Sequence, residues 1–205
     1  MDQTMEPKRG RVPAGAAMIR PELTEAIIAA ARDELAEIGI ARFSMDSLAK
    51  RAGVGKAAVY RRWPSRQALI ASLVTDVGVG VGSSPDTGSL EGDLQAFFKA
   101  AITSMSSTFA VRVLPEIHCE MARDPGLEKM VNESVREPRR DNVIALLRRA
   151  QKRGELPANL DDEFAVDMIT APLYWRLTIT RRSATPKYSR QLVAATIAAL
   201  RVSVR

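Results

Sequence analysis

The sequence predicts an all-α protein of about nine helices, with a small N-terminal head and a larger helical body. Three observations carry that prediction. Apolar residues recur at three-and-four spacing along most of the chain, no alternating stretch of useful length marks a strand, and the breaks between periodic stretches hold Gly, Pro and Ser residues that start and stop helices. With 205 residues, 46% apolar and 26% charged, the chain has the length for one large domain or two small ones and the composition of a soluble globular protein.

The elements follow in order. Residues 1–18 carry Pro, Gly, Arg and Ala with no apolar period, which predicts a flexible basic arm. Pro21 suits the first turn of a helix whose apolar stripe is Leu23, Ile27, Ala31, Leu35 and Ile38, with Gly39 as its stop. Ser44 is an N-cap for a second, short helix, Asp46 sits in its first turn, and Gly53 ends it in the left-handed conformation. A third short helix is expected from about Lys56 to Trp63, and Ser65 caps a fourth bearing Ala68, Leu69, Leu73 and Val77. The Gly/Ser/Pro-rich stretch 78–89 is the clearest compositional seam between an N-terminal unit and the remainder.

Beyond the seam, Leu90, Leu94, Phe97, Phe98, Ala101, Ile102 and Met105 form a wide stripe, and Val113, Ile117 and Met121 continue on another helix ending at Asp124. Pro125 opens the next. Pro138 is expected to restart or kink the chain before Val143, Leu146 and Leu147, with Gly154 as the stop. The last two helices are expected over 161–182, capped by Asp161 and bent at Pro172, and over 186–203.

Several functions are excluded by counting. Cys119 and His118 are the only residues of their types, so no intramolecular disulfide, Cys-rich zinc site or multi-histidine metal centre can form. Adjacent helical residues point about 100° apart, so His118 and Cys119 make no nucleophile–base pair, and no catalytic residues, metal or cofactor are expected. No apolar run approaches the ~18 residues of a membrane span. Asp2 and Glu6 with no apolar h-region argue against a secretory signal, so a cytoplasmic location is expected.

The net charge of +6 is concentrated: residues 42–66 hold Arg42, Lys50, Arg51, Lys56, Arg61, Arg62 and Arg66 against Asp46 alone. Such a focus is the footprint of a phosphate-binding surface, or else a solvated basic face. It coincides with two short helices joined through Gly53-Val54-Gly55, the spacing of a helix-turn-helix. Leu48, Val54 and Val59 are expected to hold the two helices at a steep angle. Lys56, Ala57, Ala58, Tyr60, Arg61 and Arg62 are then left on the second helix's exposed face. Small residues at 57 and 58 permit close approach to a major groove, the arginines reach guanine edges or phosphates, and Tyr60 suits a phosphate oxygen. Ser44 and Arg66 offer further phosphate contacts at helix N-termini. The alternative is ordinary packing, with Tyr60 and Trp63 in a core. Pro7-Lys8-Arg9-Gly10-Arg11-Val12-Pro13 is similar to the core of an AT-hook and either lies in a narrow minor groove or is a basic tail without sequence preference.

Residues 20–73 resemble the DNA-binding domain of the TetR family of bacterial transcriptional regulators. The carrying residues are Ser44-Met45-Asp46-Ser47-Leu48-Ala49, Ala52-Gly53-Val54, Gly55 through Arg66, and Ala68-Leu69. The resemblance implies a helix-turn-helix DNA-binding domain (19–66) and a helical ligand-binding and dimerisation domain (67–205). It implies a homodimer on a palindromic double-stranded DNA operator, and release when a small molecule binds. Its phosphate contacts fall on Ser44, Tyr60 and Arg66, and its recognition contacts on Lys56, Ala57, Ala58, Arg61 and Arg62. Gly55, Ala58, Trp63 and Arg66 stand where the family often has Ser, Thr, Phe and Lys. Thr87-Gly88-Ser89-Leu90, Pro138-Arg139-Arg140, Arg153-Gly154-Glu155-Leu156 and Ala171 through Leu177 resemble one C-terminal domain type of such regulators.

For an effector site, the sequence offers Phe97, Phe98, Ile102, Met105, His118, Met121, Tyr174 and Trp175, because aromatics and Met suit an adaptable apolar pocket; helical spacing favours plain core for any single apolar one, with at least some of the set expected to face a cavity. The last two helices carry Ala165, Ile169, Leu173 and Leu177, then Leu192, Ala195, Ile197, Ala199 and Leu200, a surplus that fits face-to-face pairing across a two-fold axis. The expected function is thus a homodimeric repressor released by a small apolar ligand. A body without a void would favour a regulator with no such ligand, and a helical enzyme or adaptor is the remaining alternative.

Overall fold

The computed structural model describes residues 20–79 and 84–202. Among these residues every regular element is a helix. Helix α1 is Pro21–Ile38, α2 Met45–Arg51, α3 Lys56–Tyr60, α4 Arg66–Val79, α5 Leu90–Met105 and α6 Thr108–Met121. The segments Pro125–Val131, Asn132–Arg136 and Glu137–Lys152 run on as one helix, α7, whose middle segment is a π turn. Asp162–Tyr174 and the π turn Trp175–Ile179 likewise form α8, and Pro186–Leu200 is α9. The described residues therefore form nine continuous helices.

Local chemistry sets the ends. Ser44 closes a reciprocal capping box with Ser47, and Ser89, Ser107, Asp124, Asp161 and Thr185 each accept a backbone N–H in the first turn of their helices. Gly39 ends α1 at φ 77°, and a Cβ there would also stand 2.9 Å from Glu116 Oε2. Two demands, handedness and close approach, therefore fix glycine at this position.

Neither Pro138 nor Pro172 interrupts its helix. Pro138 follows a π turn and Pro172 precedes one. The missing N–H of each proline leaves a gap in the hydrogen-bond ladder, which the helix tolerates without ending; for Pro138 the π turn lies directly before that gap.

One apolar cluster runs from head to body, through Ile27, Leu35, Leu48, Val59, Leu69, Leu73, Leu94, Phe98, Ile117 and Leu146. Helix α1 packs on α2 and α6, α4 on α5 and α7, and α9 on α5 and α8. The two body motifs at 87–90 and 153–156 meet in a polar joint. Asp93, fully enclosed, accepts from the Thr87 N–H (2.6 Å), the Thr87 hydroxyl (2.8 Å) and Arg153 (3.0 Å), while Glu155 binds Arg153 (2.6 Å) and the Leu90 N–H (2.8 Å). Burial alone would push the Asp93 carboxyl up; the bonds from Thr87 and Arg153 outweigh it and hold the carboxyl below its ordinary 3.8.

This joint gives a stability prediction. Asp93→Ala leaves Arg153 and Thr87 short of their acceptor, and the expected loss is about 3 kcal/mol by denaturant melts. The lowered carboxyl also fixes the sign with pH: its contribution is complete above 3.8 and is lost as pH falls through the lower folded value. Acid titration of the wild type against Asp93→Ala should show the gap closing only in that range.

Candidate nucleic-acid interface and effector cavity

The second helix of the head is held from below and bare on top. Val59 and Leu48 are fully buried, Trp63 is 7% exposed, and Val54 packs at the edge of the same cluster. Outward stand Lys56, Ala57, Tyr60 (45% exposed) and Arg61, with Ala58 half-buried. Arg61 has no side-chain partner among the described residues. Lys56 Nζ lies 2.5 Å from Asp46, an exposed ion pair of the sort that exchanges readily for a phosphate. Ser44 is exposed at the start of α2, its hydroxyl accepting from the Ser47 N–H at 3.1 Å. Arg42 and Lys50 are exposed as well.

Two expected contacts are turned elsewhere. Arg62 is half-buried: its Nε donates to Thr24 Oγ1 (2.7 Å) and its guanidinium to the Ala58 and Arg20 carbonyls (2.8 and 3.4 Å). It fastens α3 to α1, so in this state the guanidinium expected to reach DNA is engaged within the head. Arg66 donates to the Ile40 carbonyl and lies 3.5 Å from Glu120, so in this state its charge joins head to body. The Lys8-Arg9-Gly10-Arg11 arm within residues 1–18 lies outside the described residues.

The head is gripped by one face of α6. Arg112 donates to the Ala36 carbonyl (3.1 Å), Glu116 accepts the Ile40 N–H (2.7 Å), Glu120 approaches Arg66, and beyond the helix Asp124 accepts from Gln67 (3.0 Å). The spacing of four keeps these groups on one stripe.

Across α6 from that stripe opens a cavity of about 500 Å³, the size of a small-molecule site. Its walls are Val74 and Val77 of α4, Leu114 and His118 of α6, Val131 through Arg140 of α7 in part, and Val166 through Trp175 of α8 in part, with Met105 below. His118 Nδ1 and the Tyr174 hydroxyl are hydrogen bonded, ring centroids 5.1 Å apart. Burial, then the charges of Arg136 and Arg139, hold the imidazole below its ordinary 6.5. Both π turns border this space.

Of the eight expected effector residues, the structure brings Met105, His118, Tyr174 and Trp175 to the cavity. Phe97 lines only a small recess beneath it, and Ile102 is half-buried against the core. Phe98 and Met121 are core: Phe98 is fully enclosed between helices, and Met121 lies on the packed side of α6. The valines and arginines that build most of the wall were not foreseen. The apolar surplus of the last helices is also redistributed. Ala165, Ile169, Leu173 and Leu177 fill the protomer's own core, and the outward stripe of α8 is Phe164 (45% exposed), Met168, Ala171, Trp175 (60%) and Ile179 (43%).

A tight-turned helix pair with a bare, basic second helix, set on a helical body that holds a cavity, defines a helix-turn-helix transcription regulator. Comparison with known proteins gives the family. Residues 27–73 match the bacterial regulatory proteins of the tetR family, and residues 84–196 the tetracyclin repressor-like C-terminal domain. The chain is 33% identical over 193 residues to the HTH-type transcriptional regulator YdeS of Bacillus subtilis, covering 92% of each. It is 30% identical over 155 residues to the DNA-binding transcriptional repressor TetR of Mycobacteroides abscessus, covering 75% of this chain and 81% of that one. The structure of FadR from Bacillus subtilis in complex with stearoyl-CoA superposes with a TM-score of 0.69 at 17% identity, covering 89% of this chain and 100% of that one. The chain belongs to the TetR family of bacterial transcriptional regulators. It is a DNA-binding regulator, not an enzyme. No helix among the described residues is long and apolar enough to cross a membrane.

The two adjacent arginines should behave differently. Arg61→Ala is expected to leave the melting temperature unchanged, weaken DNA binding and lower the salt slope by about one. Arg62→Ala should cost about 1–2 kcal/mol of stability through its lost hydrogen bonds, which thermal melts will register.

Proposed function

We propose that the protein is a homodimeric repressor that holds a palindromic operator and lets go when a small, largely apolar ligand fills the cavity. Residues 19–66 are the DNA-binding domain and 67–205 the effector and dimerisation domain. Lys56, Ala57, Ala58, Tyr60 and Arg61 face the major groove, and Ser44 and the N-terminus of α2 take a phosphate. The exposed stripe of α8 and the Ala194, Ala195 and Ala198 face of α9 meet their copies in a second protomer, since an apolar stripe of this length on a monomer marks an interface.

The observation that carries this reading is that α6 forms a wall of the cavity with Leu114 and His118 while its other face, through Arg112, Glu116 and Glu120, holds the head. A ligand that binds better to a second position of α6 shifts the heads by its differential affinity. A cavity of this size favours the ligand-responsive reading over a regulator without a ligand. FadR's complex with stearoyl-CoA shows a protein of this fold holding a ligand with a long acyl chain, and the Mycobacteroides relative's name supports repression.

The test is binding to DNA upstream of the protein's own coding region, with salt titration and non-specific competitor. Tight, competitor-resistant binding by two protomers with a steep salt slope is expected; binding that competitor removes would count against the operator reading. Glu116→Gln should weaken the grip on the Ile40 N–H. Ligand affinity is expected to stay within about twofold while the ligand's effect on DNA release falls by about tenfold, the equivalent of one hydrogen bond to a charged group. Unchanged release in Glu116→Gln would rule out α6 as the route.

A further inference from the structure

One wall of the cavity carries a positive charge that nothing around it answers. Arg139 lines both the cavity and the recess beneath it, where Phe97, Ala101, Ile169 and Leu173 are its neighbours. Its Nε is enclosed without a hydrogen-bond partner, and among the described residues no carboxylate lies within ion-pair distance of its guanidinium. Burial pulls it below the ordinary arginine range. Its neighbours differ. Arg140 is bonded to Glu163 and lies 3.9 Å from Asp141, and Arg136 donates to the neutral amide of Asn132 at 3.0 Å. Thr170 on the same wall already donates to the Val166 carbonyl, and His118 and Tyr174 satisfy one another. A half-buried guanidinium whose Nε is enclosed without a partner is costly, and most of the remaining wall (Val74, Val77, Leu114, Val131, Val135, Val166) is apolar, while the exposed Asp167 pairs with no cation among the described residues.

We propose that the effector is an amphipathic monoanion whose carboxylate seats on the fork of Arg139 and whose apolar body lies along the valine-rich wall. This rests on the reading of the cavity as an effector site and adds the chemical class. A guanidinium matches the two oxygens of a carboxylate, so the pairing fixes orientation as well as charge. A neutral ligand would bury Arg139 further with no compensation, and a cation would be repelled. Asp167 on the same wall opposes a second negative charge, which places a carboxylate ahead of a phosphate monoester.

The test uses matched probes in calorimetry on the full-length protein: decanoate, decanol, decylamine and decyl phosphate, and naphthoate with naphthylmethanol. Carboxylates are expected to bind at least about tenfold tighter than the matched alcohols, and the amine not at all. In Arg139→Gln the carboxylate's advantage should fall to about twofold while alcohol binding is unchanged. Arg139→Gln should also melt at or above the wild-type temperature, because an uncompensated charge has left the interior; a purely structural arginine would lower it. With one histidine in the chain, its NMR signal is a clean reporter. Its titration midpoint, held down in part by Arg136 and Arg139, should rise when decanoate binds and stay put with decanol. Equal affinity for acid and alcohol, retained in Arg139→Gln, would keep the effector site and overturn the anion seat. Tighter binding of decyl phosphate than decanoate would overturn the carboxylate. Failure of every probe to bind would overturn both readings.

Discussion

The structure depends on a constraint of helical geometry acting on α6. Residues four apart share a face, and residues two apart stand about 200° around the axis. Arg112, Glu116 and Glu120 therefore form one stripe, while Leu114 and His118, each offset from it by two, look the other way. The stripe is committed because the chain leaving α1 has backbone groups to satisfy. The Ile40 N–H finds Glu116, the Ile40 carbonyl finds Arg66, and the Ala36 carbonyl finds Arg112. Buried backbone groups need partners, and here side chains of α6 and α4 provide them instead of water. Gly39 then has to be glycine, since Glu116 occupies the space a Cβ would need. Head and body are thus joined by hydrogen bonds with definite partners as well as by continuous apolar packing.

The cavity exists because two long helices are irregular where they border it. Regular helices packed on α4 and α6 would bring side chains together at close-packed density. The π turns at Asn132–Arg136 and Trp175–Ile179 each widen the helix and re-aim the side chains that follow, including Arg139 and Arg140 after the first. Pro138 and Pro172 sit beside these turns, so a backbone defect written into the sequence is spent where a void is lined. Trp175 belongs at once to the cavity wall and to the exposed stripe of α8. In the proposed dimer, a partner packed on that stripe would also close one side of the cavity, so ligand occupancy and subunit packing would bear on the same ring.

Legibility followed the range of the interactions. Helix ends were readable because a cap is a local event: Ser44, Gly39, Gly53, Ser65 and Asp161 act within a few residues of themselves. The exposed face of α3 was readable for the same reason, except at Arg62. Spacing along the helix does not settle whether Arg62 turns in or out; its inward turn is made by Thr24 and Arg20, far earlier in the chain. The cavity was half readable. An apolar residue at helical spacing is the same in sequence whether it meets another helix or an open space, so Phe98 and Met121 were placed in the wall when they are core. The valines passed unnoticed because they resemble core everywhere, and the arginines because charge on a helix is ordinarily solvated. Their neighbourhood with Pro138 was the available signal.

The scale of the joint bears on how such a device is switched. Three polar contacts tie α6 to the head, through Arg112, Glu116 and Glu120, and a fourth from Asp124 to Gln67 lies just beyond it. Each hydrogen bond of this type contributes on the order of 1 kcal/mol net, more where a charge is involved. Inverting a two-state population from 1:99 to 99:1 takes about 5.5 kcal/mol. The joint is therefore comparable in strength to what one well-fitted ligand supplies through differential affinity. Under the proposed mechanism it would hold one head position in the free protein and yield to a ligand bearing on the far side of the same helix. The same consideration places the charge of Arg139 on the cavity side. In the proposed effector site, a matching anion would recover the energy of an uncompensated guanidinium on binding, and that recovery would be available to move α6 and the head with it.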